Sequence, residues 1–169
     1  MGFDSIMESI INFSSANRDD LIQHEFHFIG GPGGTGKSAL FKKLHAACRK
    51  NGILTICAQS SLAALTFDGA TTAPSLFSYP VEDEDDIDDQ NLPRCNFKKE
   101  HCDFLYEVSV IFWDEFISND CILIEAVLEE FKTRWNTPRF YVFVCAGNFA
   151  QVSILLKVNW NHLVLQSFI

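Results

Sequence analysis

Gly31-Pro32-Gly33-Gly34-Thr35-Gly36-Lys37-Ser38 fits G-x-x-x-x-G-K-[S/T], the phosphate-binding P-loop. The motif needs a strand before it and a helix after it. Phe26-His27-Phe28-Ile29 supplies an apolar run on one side, and Ala39-Leu40-Phe41-Lys42-Lys43-Leu44 supplies a helical pattern on the other. Glycines at 31, 33, 34 and 36 let the backbone curl so that its N–H groups face phosphate oxygens. The helix that follows adds its positive N-terminal end. Lys37 is placed to reach the β- and γ-phosphates, and the Ser38 hydroxyl to ligate Mg²⁺. The stretch therefore predicts a nucleoside triphosphate site in a P-loop fold.

Working outward, apolar strand-like runs alternate with amphipathic helical ones. Strands are expected over about 26–30, 53–58, 108–113 and 140–146, and helices over about 5–12, 37–50, 60–67 and 119–134. Gly52 follows the second of these helices as a stop signal. Continuous apolar strands between helices indicate a parallel sheet covered on both faces, a three-layer α/β arrangement. Ligands of such sheets bind at the carboxyl ends of the strands, where the P-loop falls. Residues 71–100 read as one long irregular segment, of the kind that is functional or disordered.

The chain of 169 residues, 47% hydrophobic, suits one domain with a sizeable core. Its start lacks the basic and apolar regions of a signal peptide, and no apolar run is long enough to span a membrane. Six cysteines occur without a C-x-x-C pair, and Cys95, His101 and Cys102 fit no zinc spacing. Reduced thiols in an intracellular protein are the simplest account, with Cys57 and Cys145 as small buried hydrophobes. The net charge of −9 argues against strong nucleic-acid affinity. That charge is concentrated: residues 82–89 hold seven carboxylates, and without them the chain carries −2. The acidic run reads as a solvated loop.

Two further segments sit at strand ends. Val110-Ile111-Phe112-Trp113 closes on Asp114-Glu115, the Walker B arrangement. Asp114 would hold the Mg²⁺ that bridges the phosphates, and Glu115 would position and deprotonate the attacking water. The last strand closes on Gly147-Asn148-Phe149-Ala150-Gln151, where Gln151 could contact the γ-phosphate or be an ordinary surface residue of a turn.

Together these segments resemble the petite-integration-frequency (PIF) family of 5′-to-3′ DNA helicases, most nearly the helicase portion of Helitron transposons. The resemblance is carried by residues 30–38, by Ala58 to Leu65 with Gly69 to Phe77, by Cys95-Asn96 with Val110 to Glu115, and by Gly147 to Gln151. It implies a RecA-like first motor domain over 26–152, with a helical and polar lead-in at 1–25 and a divergent tail at 153–169. It also implies ATP hydrolysis coupled to translocation on single-stranded DNA, with Ser60, Thr72 and Ser75 near the DNA backbone, where hydroxyls can hold phosphates. A nuclear location and roles in DNA repair, recombination and telomere maintenance come with the family. A second RecA-like domain, which supplies an arginine finger in the family, is not read in the sequence. The chain departs from the family pattern at Ser61, Pro74, Asn148 and Ala150. Two other readings stand beside this one: a nucleotide-binding remnant of a decayed transposon gene, and a small P-loop kinase.

Overall fold

Among the described residues five parallel strands form the sheet, in the spatial order β1-β5-β4-β2-β3. The structure, a computed structural model, describes residues 2–17, 20, 21, 23–59, 71–78, 95, 97, 99–119, 121–135 and 139–148. In chain order the elements are α1 (Phe3–Ser15), β1 (Glu25–Gly30), α2 (Lys37–Lys50), β2 (Thr55–Gln59), β3 (Thr71–Thr72), α3 (Ala73–Phe77), α4 (Lys99–Glu107), β4 (Val110–Trp113), α5 (Cys121–Thr133) and β5 (Val142–Gly147). A short 3₁₀ turn, Phe116–Ser118, joins β4 to α5.

The central strands are apolar at every position because both faces are covered. β4 and β5 are buried throughout. Alternate residues feed two cores. Ile111, Trp113, Phe143 and Cys145 pack with Leu76, Phe77, Leu105, Val127 and Phe131 beneath α3, α4 and α5. Val110, Phe112, Val142 and Val144 pack with Ile6, Ile10, Phe41 and Leu44 beneath α1 and α2. This is the three-layer α/β architecture that the sequence predicts, with a parallel sheet.

α1 shows how the outer layer is held. A thirteen-residue helix is marginal alone in water. Ile6, Met7, Ile10 and Phe13 recur at helical spacing and are all buried. Each contributes roughly 1.5–3 kcal/mol by leaving water. Ile11 belongs to the same periodic run but remains 40% exposed. A polar clasp adds to the packing: Ser9 and His27 both meet the Glu25 carboxylate, with His27 Nε2 2.9 Å from Glu25 Oε1 and 3.0 Å from Ser9 Oγ. It joins α1 to the start of β1.

α2 ends as the sequence predicts. Asn51 and Gly52 donate N–H bonds to Ala47 and Arg49 carbonyls, and Gly52 adopts a positive φ of 71°. Cys57 and Cys145 are buried in the sheet, and burial pushes the Cys57 thiol up to about 12.

The expectation of one irregular segment over 71–100 is corrected by the structure. Thr71-Thr72 adds an edge strand, pairing Ala58 with Thr71 and Gln59 with Thr72. α3 follows at once, capped by the Thr72 hydroxyl and opened by Pro74. α4 begins at Lys99, so Phe104–Glu107, next to the predicted third strand, is helical. Strands and helices this short carry too little periodicity to be read from sequence. The predicted helix over 60–67, the acidic run 82–89 and the tail 153–169 lie outside the described residues.

Candidate active site

All strands run the same way, so their carboxyl ends form one edge. The register aligns Gly30 with Gly147, Trp113 with Cys145, Ala58 with Trp113, and Gln59 with Thr72. The P-loop, Asn148, Asp114 and Thr72 therefore follow one another along that edge, with β5 between β1 and β4. Four strand spacings separate β1 from β3, about 19 Å. The nucleotide residues lie toward one end and Thr72 and Ser75 at the other.

The loop begins where β1 stops. Gly31 N–H donates to the Gly147 carbonyl at 3.3 Å, extending the β1–β5 ladder by one step. The chain then turns through positive φ values of 152° at Gly31, 80° at Gly34 and 90° at Gly36. Side chains at those backbone conformations would be strained. A Cβ on Gly31 would also stand 2.9 Å from Thr35 Oγ1. Thr35 Oγ1 donates to the Pro32 carbonyl at 2.8 Å and closes the loop on itself. Gly36 caps α2 and accepts its first helical bond, from Leu40 N–H at 3.0 Å. The N–H groups of the first turn have no partner inside the helix and form an anion-binding end. The Lys37 ammonium donates to the carbonyls of Gly31 at 2.6 Å and Pro32 at 2.9 Å, which holds it over the loop. Ser38 is exposed on the first turn.

The acids arrive from β4. Asp114 N–H donates to the Ala58 carbonyl at 3.0 Å and so is anchored on β2. Its Oδ1 accepts the Glu115 N–H at 2.9 Å, leaving Oδ2 for another partner. Burial raises the Asp114 carboxyl above its ordinary range, and the Glu115 charge pushes the same way. The Glu115 N–H bond and the Lys37 charge pull it back. The Lys37 charge thus acts on the β4 carboxylate from the P-loop side of β5. Glu115 is exposed, with a left-handed backbone at φ 53°, ψ 30°.

Ser38 and Asp114 offer a hydroxyl and a carboxylate oxygen, the hard donors that Mg²⁺ takes. Among the described residues no group of three or more His, Cys, Asp or Glu could hold a metal. A cation here would complete its shell with phosphate and water oxygens, as Mg²⁺ does.

Of the residues singled out from sequence, Gly31, Pro32, Gly33, Gly34, Thr35, Gly36, Lys37, Ser38, Asp114 and Glu115 stand at this edge. Thr72 and Ser75 stand at its far end, where Thr72 Oγ1 accepts the Ser75 N–H at 3.3 Å. Ser60 and Gln151 lie outside the described residues. Sequence reading passed over Asn119, whose amide donates to the carbonyls of Glu115 at 3.0 Å and Phe116 at 2.9 Å. An Asn four residues past a strand-end acid is a capping signal that could have found it.

The family model for PIF1-like helicase matches residues 3–160. Among solved structures, a Pif1 helicase studied for DNA unwinding at forked duplex DNA aligns with a TM-score of 0.63 at 20% identity, over 92% of this chain and 35% of that one. Unliganded Pif1 from Bacteroides sp aligns at 0.59 and 19% identity, over 90% of this chain and 33% of that one. Bacteroides Pif1 in complex with ADP-AlF3 and ssDNA aligns at 0.60 and 19% identity, over 94% of this chain and 35% of that one. The chain thus spans about a third of the length of these structures. No protein of curated function matches it in sequence.

Proposed function

The chain belongs to the PIF1-like helicase family, and on that premise we propose that it carries the first motor domain of an ATP-dependent DNA helicase. One observation carries the reading. The P-loop at the end of β1 and the Asp114-Glu115 pair at the end of β4 stand at one carboxyl edge of a parallel sheet, with β5 between them.

The proposed chemistry is hydrolysis of ATP. Backbone N–H groups of Gly33 to Ser38 and the Lys37 ammonium bind the phosphate chain. Ser38 and Asp114 would hold Mg²⁺, which would neutralise charge on the phosphates. Glu115 orients a water and takes its proton as the water oxygen bonds to the γ-phosphorus. The bridging bond to the β-phosphate breaks and ADP leaves. Gln151 is assigned to the γ-phosphate. Hydroxyls at Ser60, Thr72 and Ser75 are assigned to the backbone of single-stranded DNA, with movement 5′ to 3′ and a nuclear setting as in the resembling family.

Coupling hydrolysis to movement needs a second RecA-like domain, in the same polypeptide or from a partner. Its arginine finger is worth ~10³–10⁵ in rate in related P-loop enzymes. Without that finger, hydrolysis at this site is therefore slow.

Single-turnover hydrolysis with protein in excess over ATP tests the reading. Glu115→Gln should bind Mg·ATP as the unaltered chain does and lose ~10²–10⁴ in rate. Equal rates for the two would remove Glu115 from the chemistry. A phosphorylated small acceptor in place of free phosphate would indicate a kinase.

A further inference from the structure

We infer that Asn119 is a positioning residue for hydrolysis, acting by clamping the backbone of Glu115. The inference rests on the role proposed above for Glu115.

Glu115 and Ser78 are the non-glycine residues with positive φ among those described. A left-handed backbone is unfavourable for a residue with a side chain, and it persists only where its surroundings hold it. The holding groups are present. The Glu115 N–H is fixed by Asp114 Oδ1 at 2.9 Å. Its carbonyl accepts the Ser118 N–H at 2.9 Å and the Asn119 amide at 3.0 Å. The same amide nitrogen reaches the Phe116 carbonyl at 2.9 Å. Both N–H bonds of one amide group are thus committed to the two carbonyls that define the turn.

The conformation has a consequence for the carboxylate. With an extended or helical backbone the chain after Asp114 would leave β4 in another direction, and the Glu115 side chain would swing with it. In the left-handed turn the side chain stays exposed beside Asp114, while Phe116 and Ile117 go into the core. The Asn119 amide meets the backbone carbonyls of Glu115 and Phe116. It keeps the general base in place through the backbone, and misplacement by about 1 Å can cost ~10²-fold in rate.

Asn119→Asp has the same shape and lacks both donors. Asn119→Ala removes the side chain. Either should slow single-turnover hydrolysis about 10- to 100-fold at unchanged Mg·ATP affinity. In a Glu115→Gln background the further loss should vanish, because Asn119 acts through Glu115. Amide hydrogen exchange at Ser118 should quicken in Asn119→Asp whether or not turnover is measurable. Unaltered exchange at Ser118, an undiminished rate, or a loss that persists unchanged in the Glu115→Gln background would overturn the inference. If Glu115→Gln is slow while the Asn119 variants match the unaltered chain, the role of Glu115 stands and that of Asn119 falls.

Discussion

Gly147, at the end of β5, is packed against Ile117 so closely that a Cβ at 147 would stand 2.5 Å from Ile117 Cγ1 and 2.8 Å from its Cδ1. Ile117 belongs to the turn that follows Glu115, and it is 5% exposed. The strand that leads to Asn148 and the turn that follows Glu115 are therefore in direct contact.

Gly147→Ala should cost about 1–3 kcal/mol, the usual range for overpacking. Urea denaturation would measure it. Ile117→Val in the same chain removes one methyl group and should return part of the loss, making the two changes non-additive. Because the turn would shift, hydrolysis should fall more than nucleotide affinity.

Thr72 caps a helix and, in the proposed function, also meets the DNA backbone. Its oxygen accepts the Ser75 N–H as the cap of α3, while its hydroxyl proton can still donate to a phosphate. Thr72→Ala should lower stability by about 1 kcal/mol and weaken single-stranded DNA binding, with Mg·ATP affinity unchanged. Thr72→Ser keeps the hydroxyl and should restore both. Fluorescence anisotropy with a labelled oligonucleotide, beside thermal melting, separates the two effects.

The candidate nucleotide site was legible in sequence because such chemistry dictates residue type. Only glycine turns freely through the positive φ values at 31, 34 and 36, and the strand end at Asp114 is marked by four apolar residues before it. The layers were legible from β4 and β5 for the same reason, both faces being covered. What escaped was set by tertiary contact. β3 has two residues, and its pairing depends on β2 lying beside it. The Gly147–Ile117 contact joins positions 30 apart, and nothing local to either marks it. Asn119 carries the local signal of a capping residue, but its partners are backbone carbonyls, so the sequence does not say which turn it holds.

His24 offers a pH test of the packing beneath the sheet. Its ring stacks on Tyr141 and meets Phe140 and Phe143 edge-on, and Nδ1 accepts the Tyr141 N–H at 3.2 Å. Burial, helped by the Lys132 charge, lowers it from 6.5 to about 3. The folded value lies below the unfolded one, so the unfolded chain binds the extra proton. Stability from this group is complete above about pH 6.5 and is lost as pH falls toward 3, by at most about 1.4 kcal/mol per pH unit. Denaturation midpoints between pH 7 and 4 should fall less steeply for His24→Gln, whose carbonyl can still accept the Tyr141 N–H.

The central claim is that Gly31 to Ser38 hold the phosphates of Mg·ATP with Lys37 as the cation. Calorimetric titration of ATP into the unaltered chain and into Lys37→Ala, each with and without Mg²⁺, tests it most directly. The account predicts saturable binding that is strengthened by Mg²⁺ and reduced at least tenfold by Lys37→Ala. Equal binding by the two proteins, or none by the unaltered chain with Mg²⁺ present, would contradict it.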